Sequence, residues 1–406
     1  MGWRLKDLAY CSNVHPGESL ADIGANLERF VGPVREALAA AELGAGLWIS
    51  NKASLATQNE ADFQHLQQKL VANRLRLQSL NGFPFGDFHQ EVIKASVYLP
   101  DWSERARLDY TVSLAKLLAA CLPADENSGT ISTLPLGFQQ YWTTAKHQHS
   151  LINILRLVAE LARLEKNTGK HIRVCLEMEP ACVLEKTDDI VNFFNRDLAT
   201  LAQEEKFPAD KIRRYLGVCY DVCHQAVMFE DIRQSLKKIH DAGIVIGKIQ
   251  LSSALRLTDC SAGEMRKNLQ PFLEPRYLHQ TSIRQADGRI DTCDDLPEAL
   301  KSIPPEPGQE WRIHYHVPLQ LNIINDSGLG TTQFATEQVF SFLAENRHIR
   351  PHLEVETYTW NVLPASLRAD DDEALIRGIA AELDYVYDRL SHYGLLDKEN
   401  NDTKAA

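Results

Sequence analysis

LGVCYDVCH, residues 216–224, poses the fold question in nine letters. A short apolar run from Leu216 to Tyr220 stops at Asp221, and His224 follows where the apolar pattern has ended. Buried strands of parallel sheets read as such runs, and polar groups gather where they stop. The two thiols, Cys219 and Cys223, would lie ~13 Å apart along one face of an extended strand, too far to share a metal or a disulfide. No second thiol pair completes a four-thiolate site, and a C-x-x-C redox pair is absent. The thiols are therefore expected to pack, leaving Asp221 and His224 to carry chemistry.

The same pattern recurs outward in both directions. Candidate strands fall at 8–13, 46–51, 75–82, 129–135, 173–180, 246–253, 312–318 and 352–360, besides 216–224. Amphipathic helical readings lie between them at about 19–41, 58–74, 103–121, 145–166, 187–203, 229–241, 333–347 and 371–394. Repeated βα units over ~250 residues build either a doubly wound sheet or a (β/α)8 TIM barrel. The barrel is favoured because no long linker interrupts the units, no G-x-G-x-x-G turn follows a strand, and nearly every strand ends in polar residues. Nine candidates compete for eight places. Residues 254–311 form a long segment with a hairpin reading at RQADGRID (284–291) and a proline-rich stretch at 302–309, so they read as an insertion near the C-terminal face. The expected organisation is one barrel domain over 1–395, with a polar, disordered tail at 396–406.

Composition sets the outer limits. The chain has 406 residues, 44% hydrophobic and 24% charged, with a net charge of −12. That suits a soluble globular protein and argues against nucleic-acid binding, which needs clustered cations. No signal peptide or transmembrane run is visible, so a cytoplasmic protein that is not integral to a membrane is expected. The eight cysteines are scattered, as for reduced, mostly buried thiols.

Side chains at i and i+2 of a strand share a face. Glu177 with Glu179, Cys219 with Asp221, His314 with His316, and Glu354 with Glu356 are therefore aimed together. Acids and imidazoles converging on one barrel end need a neutraliser, and a divalent cation (Mn²⁺, Mg²⁺, Co²⁺ or Zn²⁺) is the simplest one. Either Glu354 or Glu356 can be the functional acid of the last strand. Residues 80–102 add five aromatics with Asn81, Asp87 and His89, a loop fit to wall a ligand pocket, and 10–19 adds Asn13 and His15.

These strand ends resemble the xylose-isomerase-like barrels, which include ketose 3-epimerases and the endonuclease IV group. The resemblance implies a metal held by Glu179, Asp221, Gln250 and Glu356, with Glu185, His224 and Arg256 as their substrate-side partners. In those epimerases two glutamates shuttle a proton at the substrate carbon, here Glu179 and Glu356. The sequence departs from the pattern at Gln250, where a metal-binding His is expected, and His316 is the residue placed to compensate. Over nearly the whole chain, YCSNVHPGE, SLNGFPFGDFH, VYLPDW, ISTLPLGF, CYDVCH, KIQLSSALR, HYHVPL and LEVETYTWNVLP are similar to the EboE family, the TIM-barrel members of the ebo cluster of metabolite-traffic proteins. That resemblance implies a bacterial protein that binds a small-molecule precursor bound for the periplasm, with isomerisation of that precursor as its candidate chemistry and other ebo-cluster proteins as partners.

Three readings stand at this stage. The first is an EboE-like metabolite-traffic barrel whose pocket is lined by His15, Asn81, His89, Glu185, His224, Arg256 and His314. The second is a metal-dependent sugar or sugar-phosphate isomerase or epimerase, and the third a non-catalytic binding or scaffold barrel without metal. A DNA-repair nuclease is disfavoured by the acidic balance.

Overall fold

In the computed structural model, residues 2–258, 261–304, 306–325 and 328–397 are described. Eight parallel strands close into a barrel: β1 (Leu8–Cys11), β2 (Leu43–Trp48), β3 (Leu75–Asn81), β4 (Ser128–Thr133), β5 (His171–Glu177), β6 (Leu216–Asp221), β7 (Ile246–Leu251) and β13 (His352–Val355). Closure is made at β1, where Tyr10 lies between Ala45 of β2 and Val355 of β13. Helices run between the strands as the apolar spacing predicts. The longest connecting helix, Thr144–Thr168, starts with the Thr143 side chain accepting from the Lys146 amide. It stops at Gly169, whose φ of 72° is the left-handed conformation that ends a helix and favours glycine. The chain is thus a (β/α)8 barrel, as its rhythm implies.

The surplus ninth strand is RIHYHVP. Between β7 and β13 the chain builds a second, five-stranded sheet from β8 (Ala254–Thr258), β9 (Thr281–Arg284), β10 (Ile290–Cys293), β11 (Glu310–His316) and β12 (Leu329–Thr331). Its order is β10-β9-β11-β8-β12 and its pairs are antiparallel. The inserted sheet therefore runs on past residue 311 to Thr331, and β11 belongs to it instead of to the barrel. A short run such as RIHYHV has the same composition in either sheet, so composition alone could not place it. At the end of the chain Leu396 bridges to Trp3, and the Asp397 amide donates to the Trp3 carbonyl. Cys260 and the rest of the tail, 398–406, lie outside the described residues.

The barrel interior has a polar layer just below its mouth. Lys248 and Glu354 are both fully enclosed, with Nζ 3.0 Å from Oε2. Asn81 joins them, donating to Glu354 Oε1 at 2.7 Å and accepting from Lys248 at 2.5 Å and from Ser132 at 2.9 Å. Gly46 makes this layer fit, because a Cβ there would sit 1.8 Å from Glu354 Oε2. Among the described residues, no helix is long and apolar enough to cross a membrane.

Candidate metal centre and active site

Three barrel strands deliver carboxylates to one point of the mouth. Glu177 ends β5, Asp221 ends β6 and Glu356 follows β13, and one oxygen of each lies within 4.8 Å of the others. The strand register places Asp221 level with Gln250 and Gln250 level with Glu354, so Glu356 stands one pleat above the Lys248 layer. Burial, then the charges of Glu356 and Asp221, push the Glu177 carboxyl well up. Burial, then Asp221 and Glu354, do the same to Glu356. Burial also opposes ionisation of Asp221, but the imidazoles of His224 and His316 and its hydrogen bonds hold it below the usual value. Those bonds come to Oδ1 from the His224 amide at 3.0 Å and the Ser252 hydroxyl at 2.8 Å. Oδ2 is buried without a partner. Glu356 Oε1 accepts from Asn13 at 2.7 Å.

The imidazoles reach the same region from two directions. Asp221 caps the short helix Val222–Val227, which swings His224 over the strand end. His314 and His316 come from β11, where a shift in register falls between Ile313 and His316. Such irregularities re-aim side chains, and here both rings enter the barrel mouth. His224 Nε2 lies 3.1 Å from His314 Nε2. The Nδ1 atoms of His224 and His316 face the Met178 and Glu356 carbonyls at 2.8 and 2.9 Å, and His314 Nδ1 faces Gln280 Oε1 at 2.7 Å. Burial keeps His316 neutral down to about 4. Asp221, His224 and His316 form one compact group of metal-ligating atoms, and Glu179, His224 and His314 another.

Glu179 lies beyond the end of β5 and has its own setting. Its Oε1 accepts from the Tyr98 hydroxyl at 2.8 Å and from Gln280 Nε2 at 3.2 Å. Burial raises its carboxyl, partly offset by His224 and these two donors. The cavity over this floor measures about 70 Å³, enough for roughly five waters or the reacting end of one small molecule. Its floor is Asn13, Asn81, Ser132 and Gln250 with Glu177, Glu179, Glu356 and the three imidazoles. Its walls are apolar: Phe83, Phe88, Ile93 and Tyr98 from the loop after β3, Tyr277 and Leu278 from the insertion, and Tyr358 after β13.

Of the residues expected at the site, Glu179, Asn81, His224, Gln250, His314, His316 and Glu356 line this cavity, and Asp221 lies against it through His224, His316 and Glu356. Four expected substrate contacts stand elsewhere. His15 is packed between Tyr10, which bonds its Nε2 at 2.5 Å, and the stacked ring of Phe30. His89 bonds the Asn13 carbonyl at 2.9 Å and lies against Trp48 and Phe88. Glu185 accepts from the Ala181 amide at 3.0 Å, closing its own loop. Arg256 is ion-paired to Glu310 at 2.7 Å on the inserted sheet. Gln250 lines the cavity, but its Oε1 already accepts from Cys219 at 3.0 Å. In the carboxylate group Glu177 stands where Glu179 was expected, because β5 ends at Glu177 and Glu179 has passed into the loop.

Sequence reasoning also missed Lys248, Ser252, Gln280, Tyr98 and Tyr358. Tyr98 lies in the aromatic loop that drew notice, while Gln280 carries no signal without the inserted sheet. Cys223 packs against Val227 and Ala254, as expected of the thiols, with its Sγ within 4.8 Å of the His314 and His316 rings. The seven described cysteines are free thiols.

No family model matches the chain, and no curated protein matches it. Two solved structures are similar to it over nearly its full length. One is a D-tagatose 3-epimerase-like protein, 11% identical, covering 95% of this chain and 98% of that one, with a TM-score of 0.49. The other is an IOLI protein with a binding zinc atom, 12% identical, covering 95% and 98%, with a TM-score of 0.48.

Proposed function

We propose that the chain is a divalent-metal-dependent isomerase or epimerase of a small oxygenated metabolite, working at the barrel mouth. The observation that carries this reading is the group Glu177, Asp221 and Glu356, three buried carboxylates in mutual reach. The nearby cation Lys248 is already matched to Glu354. Uncompensated buried charge is very costly, and oxygen donors in this number suit a hard divalent ion. The residues fit the ion: Asp221 Oδ2 is buried and unpartnered beside the other two carboxylates. Glu177, Asp221 and Glu356 would hold it, and when bound it would polarise adjacent substrate oxygens.

The chain's own groups supply the remainder. Glu179 lines the cavity outside the carboxylate group, held by Tyr98 and Gln280, and serves as the proton-transferring base at the substrate carbon. Glu356 is the second such carboxylate, oriented by Asn13. The His224 and His314 rings orient substrate oxygens, and the aromatic walls exclude water. The EboE-type sequence motifs support a setting in metabolite traffic, with a precursor molecule as the substrate and other ebo-cluster proteins as partners.

The test uses the purified chain in deuterated water with a panel of ketoses, hydroxyketones and their phosphates. Deuterium should enter the carbon beside the carbonyl of at least one compound. Glu179→Gln should slow that exchange by about 10²–10⁴-fold, and Asp221→Ala should abolish metal retention. Absence of both exchange and bound metal would sink the proposal.

A further inference from the structure

The barrel has a second opening, where its strands start. A cavity of about 380 Å³ lies there, at the end opposite the carboxylates, lined by Ser128 and Thr130 of β4, Arg173 of β5, Ile246 of β7 and His352 of β13. Barrel layers are ordinarily filled by branched apolar side chains. Here Arg173 shares a face of β5 with Glu177, and His352 shares one of β13 with Glu354, so both point inward. Two glycines keep space for the arginine. A Cβ on Gly217 of β6 would sit 2.9 Å from Arg173 Cδ, and one on Gly247 of β7 would sit 3.1 Å from the same atom. The Arg173 stem therefore runs against the bare backbone of both strands.

The charge at the end of that stem is not matched. Among the described residues Arg173 makes one hydrogen bond, from Nε to the Arg214 carbonyl at 3.2 Å, which leaves its two terminal nitrogens uncommitted. The charge of Glu165 reaches Arg173, but that carboxylate is already bound by Arg214, Tyr215 and His171. No described carboxylate lines the cavity, in a chain whose Asp and Glu outnumber Lys and Arg by 55 to 43. Arg350 also lines it, lying over the Trp3 ring at 4.2 Å and countered by Asp7 and Asp397. Burial, then the Lys248 ammonium, keep the His352 ring neutral down to about 4, with Arg173 and Arg350 adding to the effect and Asp7 opposing it. His352 Nδ1 faces the Thr130 hydroxyl at 2.7 Å, and when Thr130 donates there, Nε2 carries the hydrogen of the ring. The helix Ile232–Asp241 turns its negative end toward this side, but its Lys238 and His240 carbonyls are taken by the Ala242 and Gly243 amides.

Water alone would leave Arg173 confined without a counter-charge, and an oxyanion supplies one. A guanidinium presents two parallel N–H donors in the geometry of a phosphate. By the measure of about 10–15 Å³ per water, the cavity holds on the order of 30 waters, far more than a bare phosphate displaces. We propose that this N-terminal mouth binds a phosphate monoester of a small metabolite, gripped by the terminal nitrogens of Arg173 with His352 Nε2 donating beside them. The His240 and His348 rings, which also line the cavity, flank the organic part. The site stands apart from the metal-binding mouth and does not depend on it.

The purified full chain is titrated by calorimetry with glycerol phosphate and with inorganic phosphate, against chloride at equal ionic strength. One equivalent of the ester should bind, and more tightly than the bare ion. Arg173→Met should weaken that binding by about 10–100-fold, whereas Arg377→Gln, at an exposed pair with Glu373, should leave it unchanged. Amide shifts induced in the native chain should centre on Gly129, Gly217, Gly243 and Gly247, and they decide alone if Arg173→Met fails to fold by circular dichroism. No saturable binding, full binding by folded Arg173→Met, or shifts centred instead on Gly82 and Gly137 beyond the ends of β3 and β4 overturns the site. Equal affinity for the two anions overturns the ester as its ligand.

Discussion

Lys248 is fully enclosed in the barrel, with its ammonium 3.0 Å from Glu354 and 2.5 Å from Asn81. Burial alone would lower its affinity for a proton, but Glu354 more than compensates and keeps it charged. Removing one member leaves a buried charge bare. Lys248→Met should therefore cost about 3–5 kcal/mol in urea unfolding, and the double change Lys248→Met/Glu354→Leu should cost less than the single one. A double variant no more stable than the single would argue that the pair is not the unit. The same contact settles which glutamate of HLEVET meets the cavity. Both share a strand face, so alternation could not separate them. Glu354 is committed to Lys248, and Glu356 is the one at the mouth. Asp221 and His224 were legible because a strand end carries them. Glu177 was half-legible, named as a partner of Glu179 but not chosen, since the choice depends on where β5 stops.

The inserted sheet decides how much of the site is visible at the level of elements. The barrel strands and their helices follow from periodicity, which depends on near neighbours in sequence. The insertion's role depends on β11 pairing with β8 and β9, and those contacts cross more than fifty and about thirty residues. That is why His314 and His316 were read as strand-end residues while Gln280 was not read at all. The loop after β3 is held by a different device. Arg107 is fully buried and donates to the carbonyls of Pro100, Gly82 and Phe83 at 2.8, 2.9 and 2.9 Å. This guanidinium pins both ends of the segment that carries Phe83, Phe88 and Tyr98 to the cavity. Arg107→Met strands those carbonyls and should cost on the order of 3 kcal/mol. Amide hydrogen exchange across 82–100 should speed up ahead of the barrel strands. Uniform acceleration over the whole chain would show that Arg107 serves global stability alone.

At the scale of the molecule, Glu382 ties the last helix, Asp372–His392, to the rest. Its Oε1 accepts from the Leu319 amide at 2.8 Å and the Thr357 hydroxyl at 2.6 Å, and its Oε2 accepts from Trp360 at 2.9 Å. Leu319 follows β11 of the inserted sheet, and Thr357 adjoins Glu356, so one carboxyl joins helix, insertion and final barrel strand. Burial pushes this carboxyl up to about 7, the three donors only partly opposing it. The unfolded chain has an ordinary glutamate that loses its proton near 4.5. Between these two values the folded state binds more protons than the unfolded one, so stability falls as pH rises. The contribution is fully present below about 4.5 and levels off above about 7, a change of about 3 kcal/mol across that window. Glu177, Glu179 and Glu356 slope the same way and Asp221 the opposite way, so the comparison must be made against Glu382→Gln, in which that shared background cancels. The unfolding free energy of the native chain minus that of the variant should decline through this window and then flatten. The loss of a hydrogen bond to the amide shifts the whole difference by a constant and leaves its slope intact. A difference that stays level from pH 4.5 to 7 would mean that Glu382 ionises in the folded chain as readily as in water, and that its three donors outweigh its burial.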